Sequence, residues 1–242
     1  MNRFKELLKY HFMVYMKSNK IIMPFLVWMI CMYTVYSTSP ISIVSDFIIS
    51  MICLFYIMVW IGLAYIEIED PVLEQLLILK VENENIYNIS KTLFLAFIGI
   101  VMSLIGVVIP IIINIITGFQ LFTRELTIID ISSAFILYSF IGLLGTVTGT
   151  LLHPRIMKNR KMAVIMTFTI ALMSMIKGPM NTEIPSTCFI TWIFPPLFNI
   201  TQRFTGKEYF IMQDVVSVLL YISVYSSIII FLQLYFLKRN KF

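Results

Sequence analysis

Apolar residues in this chain are gathered into runs about as long as a lipid bilayer is thick, and this constrains every other reading. A helix needs about 20 consecutive apolar residues to cross the hydrocarbon. The runs are Ile21 to Thr38, Ile43 to Ile66, Thr92 to Thr117, Ile131 to Leu152, Met162 to Ile176 and Val215 to Leu237. They predict an all-α polytopic membrane protein with six transmembrane helices in one domain, residues 1–242. The fifth run stops at Lys177-Gly178-Pro179, which leaves a short span that stands upright or thins the bilayer locally. A further apolar stretch, Cys188 to Ile200, is broken by Pro195-Pro196 and reads as re-entrant or interfacial. With 59% hydrophobic and 13% charged residues among 242, a soluble enzyme, a disordered chain and a nucleic-acid-binding module are excluded.

Orientation follows from the basic residues. Under six spans, one side of the membrane holds 14 Lys and Arg and the other holds 4. The richer side is cytoplasmic, so both termini and the loops Glu67 to Lys91 and His153 to Lys161 face inward. The segment 177–214 then lies outside. The first 20 residues are charged throughout and lack the apolar core of a signal peptide. The expected location is the plasma membrane. Cys31, Cys53 and Cys188 have neither metal nor redox spacing, so no disulfide framework is implied.

The spans also exclude chemistry. Ion-coupled carriers need ionisable groups at mid-membrane, whereas Asp46, near the outer end of span two, is the one acidic residue inside a run. Asn114, deep in span three, reads as an interhelical hydrogen-bonding group. His11 and His153 lie near the cytoplasmic boundary, and HExxH, GxSxG and GxxxxGK[ST] are absent from the sequence. No catalytic residue, metal site or cofactor of the chain's own is expected. In span four, Gly145 and Gly149 form a GxxxG pair with Gly142 nearby, a pattern for close helix packing.

The loop between spans two and three carries the strongest local signal. Asp70 can cap a helix that begins at Pro71. Val72, Leu73, Leu76 and Leu77 fall on one face of it, with Glu74 and Gln75 turned away. A second short segment, Asn85 to Lys91, leads into span three. The loop holds six acidic residues, so anionic lipid repels it and a protein surface suits it better. Before span one, Phe4, Leu7, Leu8, His11, Phe12 and Tyr15 line one face of an amphipathic helix within residues 1–20, suited to the inner interface.

Val72-Leu73-Glu74-Gln75-Leu76-Leu77 followed by Ser90-Lys91 resembles the cytoplasmic coupling segment of ABC-2-type permeases, the membrane subunits of one class of ATP-binding-cassette exporters. That family's run is Gly-Thr-Leu-Glu-x-Leu-Leu, then Gly-Lys at the mouth of the third span. Here Pro71 replaces the glycine, Asp70 a basic residue, and Lys80 the usual proline. The layout of six spans, an amphipathic elbow helix and an outer segment before the last span is similar over the whole chain. The resemblance implies a dimer with a second copy or a paralogue, and separate cytoplasmic ATPase subunits that bind ATP and Mg. It places their contact at Glu69, Asp70, Val72, Leu73, Glu74, Gln75, Leu76 and Leu77, with the His153 to Lys161 loop as a second contact.

In such permeases spans two and five line the route between the two halves. By that implication Met51, Phe55 and Met58, with Met162, Met166, Thr169 and Met173, are candidates for an apolar substrate path, since methionine accommodates varied ligands. The chain has 42 Ile against 5 Ala, an AT-rich coding bias. With it the resemblance points to the small stand-alone permeases of low-GC Gram-positive bacteria, and to a hydrophobic or amphipathic substrate such as a toxin or antimicrobial peptide. The alternative expectation is a non-transporting membrane immunity or assembly protein that binds a peptide or a partner complex.

Overall fold

The computed structural model describes residues 2–240. Met1, which the expected N-terminal helix includes, and Lys241 and Phe242 lie outside them. The described residues form ten α-helices: α1 (Asn2–Lys17), α2 (Ile22–Val35), α3 (Ile43–Ile66), α4 (Pro71–Val81), α5 (Glu84–Ile116), α6 (Ile128–Thr150), α7 (Arg160–Glu183), α8 (Cys188–Thr191), α9 (Leu197–Phe204) and α10 (Met212–Arg239). A 3-10 turn, Pro185–Thr187, precedes α8. Four of them, α4 to α7, start at side-chain caps that satisfy otherwise orphaned backbone donors. Asp70 accepts from Val72 N, Asn83 from Asn85 and Ile86 N, and Asn159 from Met162 N, while Thr127 and Asp130 form a reciprocal capping box.

Five helices, α3, α5, α6, α7 and α10, are long and apolar enough to cross a membrane. The first expected span is shorter than its apolar run. α2 has 14 residues, about 21 Å at 1.5 Å per residue against about 30 Å of hydrocarbon. It meets α1 at a bend of 77°. The count is therefore five spanning helices, or six if the bent pair makes one crossing. Two further boundaries differ from the sequence reading. α5 begins at Glu84, so the expected short segment Asn85 to Lys91 is simply its first turns. α7 runs through Lys177-Gly178-Pro179 to Glu183, because Lys177 is buried and donates to the Phe194 carbonyl at 3.3 Å. The fifth span is thus 24 residues and needs no thinned bilayer.

α6 occupies the centre, packed on α3, α5, α7 and α10. Glycine makes this possible, because helices in lipid associate by close backbone approach rather than by hydrophobic burial. A Cβ on Gly145 would stand 2.6 Å from the Phe55 carbonyl oxygen, one on Gly62 would stand 2.9 Å from the Thr146 oxygen, and one on Gly149 would strike the Val59 oxygen. Gly142 turns instead to Gly99 of α5. The close packing expected of the GxxxG pair is present, with both glycines against α3 and Gly142 against α5. Beside it, Trp28, Tyr36, Phe47 and Tyr138 fill the core, with the Ser50 hydroxyl between those of Tyr36 and Tyr138. The outward sides of α2, α5, α7 and α10 are apolar, including Ile30, Phe97, Leu172 and Phe231, as lipid contact requires.

At the end where α3 and α6 start, the α2–α3 and α5–α6 loops are tied by backbone bonds from Ile41 N to Leu121 O at 2.9 Å and from Thr123 N to Ile41 O at 3.0 Å. Arg124 grips Asp130 with both terminal nitrogens, at 2.7 and 2.8 Å, and stacks on Tyr209. The glycine contact yields a prediction. Gly149→Ala should lower the thermal unfolding midpoint in detergent, costing about 1–3 kcal/mol by overpacking. Gly142→Ala, whose added carbon meets the Gly99 Cα at 3.5 Å, should cost clearly less; equal losses would contradict the packing described.

Candidate functional site

The face opposite those loops, where α3 and α6 end and α5 and α7 begin, gathers charges that lie far apart in sequence. Glu69, in the turn before α4, is buried with Lys91 of α5, which is also buried and donates to Glu69 Oε2. The Tyr87 hydroxyl donates to Oε1 of the same carboxylate. Two charges held this far from water persist only because each is paired and hydrogen-bonded.

His11 of α1 completes the cluster, with no exposed surface. The Ser90 hydroxyl donates to the Tyr87 carbonyl at 2.7 Å and pairs with His11 Nε2 at 3.0 Å. His11 Nδ1 lies 2.5 Å from the Tyr65 hydroxyl, which also hydrogen-bonds the Glu69 carboxylate. Burial lowers the His11 pKa to about 4, against the pull of Glu69. Burial acts on Glu69 in the raising direction, but Lys91, Tyr87 and His11 outweigh it and hold the carboxyl below its ordinary range.

A second centre lies under α4. Arg155, from the α6–α7 loop, donates to Glu74 and, at 2.5 Å, to Glu84. His153 accepts from the Arg155 backbone N–H through Nδ1 at 3.3 Å, and burial with the nearby Lys91 and Arg155 charges pushes its pKa down to about 2. Burial lifts the Glu74 carboxyl against the attraction of Lys91 and Arg155. At the rim, Arg160 reaches Glu67 at 2.6 Å and Lys20 reaches it at 3.3 Å. The acidity of the α3–α5 loop is therefore largely neutralised from within, by Lys20 of the α1–α2 turn, Lys91 of α5, and Arg155 and Arg160. The repulsion from anionic lipid that the sequence suggests does not apply to a surface whose acids are paired in this way.

These pairs decide which way α4 faces. Glu74 points into the protein and is buried, while Val72, Leu73, Leu76 and Leu79 are 62%, 50%, 57% and 73% exposed. Gln75 and Leu77 are half-buried at the flanks, and Asp70 is exposed, spent on the cap. The apolar face is real, but it looks outward. Of the residues assigned to the coupling contact, Glu69 and Glu74 hold the helix in place from beneath and present nothing on its surface. The elbow helix is as expected in part: Leu7, His11 and Tyr15 are buried, whereas Phe12 is turned out.

The candidate path residues do not come together. Met51, Phe55 and Met58 are buried in the core, where Met58 Cβ abuts Gly145 of α6. Met162, Met166 and Thr169 are exposed on the outer side of α7 and Met173 is half-buried there, because α7 turns its small residues Ala163, Thr167, Ala171 and Ser174 inward. Helical spacing identified a face in each case, and packing sent the two faces in opposite directions. Asn114 is buried, and its Oδ1 has no hydrogen-bond partner among the described residues. No group of three or more metal-ligating side chains occurs among the described residues. No family model, curated protein or solved structure matches this chain.

Two predictions follow from the cluster. Lys91→Met strands the buried Glu69 carboxylate and should destabilise the protein by about 3–5 kcal/mol, with Glu69→Gln added in the same chain restoring part of the loss; thermal unfolding of the single and double variants in detergent checks this. For pH, His11 and His153 stay neutral when folded but take up protons near pH 6.5 when unfolded. Their contribution to stability is complete above about pH 6.5 and is lost as pH falls towards 4. The Glu74 carboxyl, raised by burial, opposes that loss. The unfolding midpoint should therefore drop between pH 7 and pH 5, and His11→Gln with His153→Gln should flatten the slope.

Proposed function

We propose that the chain is the membrane-spanning permease subunit of an ATP-driven ABC exporter. The observation that carries this reading is the presentation of α4. A short helix is fixed from below by buried ion pairs and offers four apolar side chains to its surroundings. Apolar side chains grouped on a rigid exposed helix favour contact with a partner, and an anchored helix passes on a push that a mobile loop would absorb. On this reading α4 lies in the cytoplasm and receives an ATPase subunit carrying ATP and Mg. α1 is the interfacial elbow and, with α2, supplies the sixth crossing, which leaves both termini inside the plasma membrane.

The core of a single copy is closed at Met51, Phe55 and Met58. A route for a hydrophobic or amphipathic peptide therefore belongs between two copies, or between this chain and a paralogue, with the exposed methionines of α7 available to it. The same closed core supports a second reading, a non-transporting immunity or assembly protein that uses α4 to hold a peptide or a membrane complex.

The test is purification of tagged protein from its native membrane in mild detergent. A Walker-motif ATPase should accompany it in roughly equal amount, and Leu73→Asp with Leu76→Asp should abolish that association without moving the unfolding midpoint. If no nucleotide-binding chain appears even after cross-linking, the permease reading fails and the immunity or assembly reading replaces it.

A further inference from the structure

Where α5 ends and α6 begins, on the face opposite the α4 cluster, a cavity of about 440 Å³ is walled by Ile111, Ile115 and Ile131 and lined also by Asn114, Arg124 and Glu125. Both helices put it at the edge of the apolar layer. Asn114 lies 23 positions past Lys91 on α5, or about 35 Å, against about 30 Å of hydrocarbon. Ile131 lies 19 positions before Thr150, the last residue of α6, or about 29 Å.

The polar groups of the cavity are unevenly employed. Arg124 has nothing left to offer, because its five N–H groups are all taken. Nε and Nη2 donate to the Glu208 carbonyl at 3.1 and 2.8 Å, Nη1 donates to the Glu125 carbonyl at 3.0 Å, and Nη1 and Nη2 both hold Asp130. Asp130 also balances its charge. The exposed Glu125, by contrast, forms no ion pair through its carboxylate among the described residues. Asn114 is only 8% exposed, and its carboxamide makes no hydrogen bond among the described residues. A buried amide left unpaired is costly, and native proteins pair nearly all of them. A half-turn of the carboxamide exchanges its two ends, so Oδ1 can meet a donor that enters the cavity. The unused groups are thus a negative charge and a carbonyl oxygen, which together suit a cation that donates hydrogen bonds and repel an anion.

The cavity continues onto a lipid-facing surface. Ile115, one of its walls, ends a row with Ile112, Val108 and Leu104 that runs down one face of α5, and all four are exposed. We infer that the cavity holds the headgroup of a membrane lipid bearing a primary ammonium, of the phosphatidylethanolamine type. Glu125 supplies the counter-charge, Asn114 accepts an N–H, and the acyl chains lie along the α5 row. A primary ammonium brings three N–H donors, whereas the quaternary ammonium of a choline lipid has the same charge and none. The lipid phosphate stays in interfacial water, since the donors of Arg124 are spent. Nothing in this assignment requires an ATPase; it requires only that α5 and α6 cross the membrane.

The test is the thermal unfolding midpoint of the delipidated full chain in detergent, titrated with phosphatidylethanolamine, phosphatidylcholine or phosphatidylglycerol of identical acyl chains. A ligand that binds the folded state raises the midpoint. Phosphatidylethanolamine should do so at about a tenth of the concentration that either other lipid needs. Glu125→Gln should weaken that response about tenfold. Asn114→Leu removes an unpaired polar group, so its midpoint without lipid should hold or rise while its preference for phosphatidylethanolamine over phosphatidylcholine disappears. Equal responses to the three lipids would leave the amide to water and overturn the inference, as would a stronger response to phosphatidylglycerol. Soluble phosphoethanolamine acting as well as the lipid would make the ligand a free amine, and a lysine-rich amphipathic peptide acting where the lipid does not would make it a peptide; either result overturns the lipid assignment. Should Asn114→Leu fail to fold, Glu125→Gln, at an exposed position, still decides: an undiminished response to phosphatidylethanolamine there would refute the site.

Discussion

The structure depends on how closely α3 and α6 approach. In water, helices are pressed together because their apolar faces leave the solvent, but lipid tails are as apolar as leucine, and the drive must come from contact itself. Gly62, Gly145 and Gly149 let the backbones of α3 and α6 touch at atoms that any side chain would hold apart. Once that pair is fixed, α6 offers its other sides to α5 and α10, and the aromatic layer of Trp28, Phe47 and Tyr138 has a wall to pack on. The absence of a charge from the middle of these helices is the same economy: nothing there has to be kept wet.

The charges are concentrated at one end, where they do a different job. Glu67, Glu69, Glu74 and Glu84 each meet a cation from another part of the chain. With His11 of α1 hydrogen-bonded to Tyr65 and Ser90, four segments remote in sequence, α1, the α3–α4 turn, the start of α5 and the α6–α7 loop, are held as one unit. Because the pairs at Glu69 and Glu74 are buried on both sides, breaking either leaves a bare charge, and the unit is stiff for that reason.

Much of this was legible from residue order. The α3 boundaries coincide with an apolar run, and the start of α4 was announced by Asp70 and Pro71, because caps and breakers act locally. What pattern alone did not supply was the direction in which a face points. α4 has an apolar side and an acidic side, and the ordinary expectation buries the first. Here Arg155 and Lys91, which no local spacing connects to Glu74 and Glu69, bury the second. The same limit separates Met58, sealed against Gly145, from Met166, which faces out. A lysine, a glycine and a proline in succession signal a stop, yet α7 continues to Glu183, with Lys177 buried against the Phe194 carbonyl, a partner 17 residues on that no local pattern announces. His11 was read as one more member of an apolar stripe, and its role as a neutral hydrogen-bonding hub needed Tyr65 and Ser90 beside it.

The bridge from Arg155 to Glu74 also sets an order of events while the chain is being made. The two residues are 81 positions apart, and at about 5–20 residues per second a ribosome needs about 4–16 s to travel between them. During that interval α4 can pack on Leu7 and Tyr87 through Leu77, Ile78 and Val81, but the Glu74 carboxylate still lacks its Arg155 partner. The α6–α7 loop supplies that partner when it arrives. The ion pair that locks the outward apolar face of α4 is therefore a late product of synthesis, closed only when most of the membrane domain has been made.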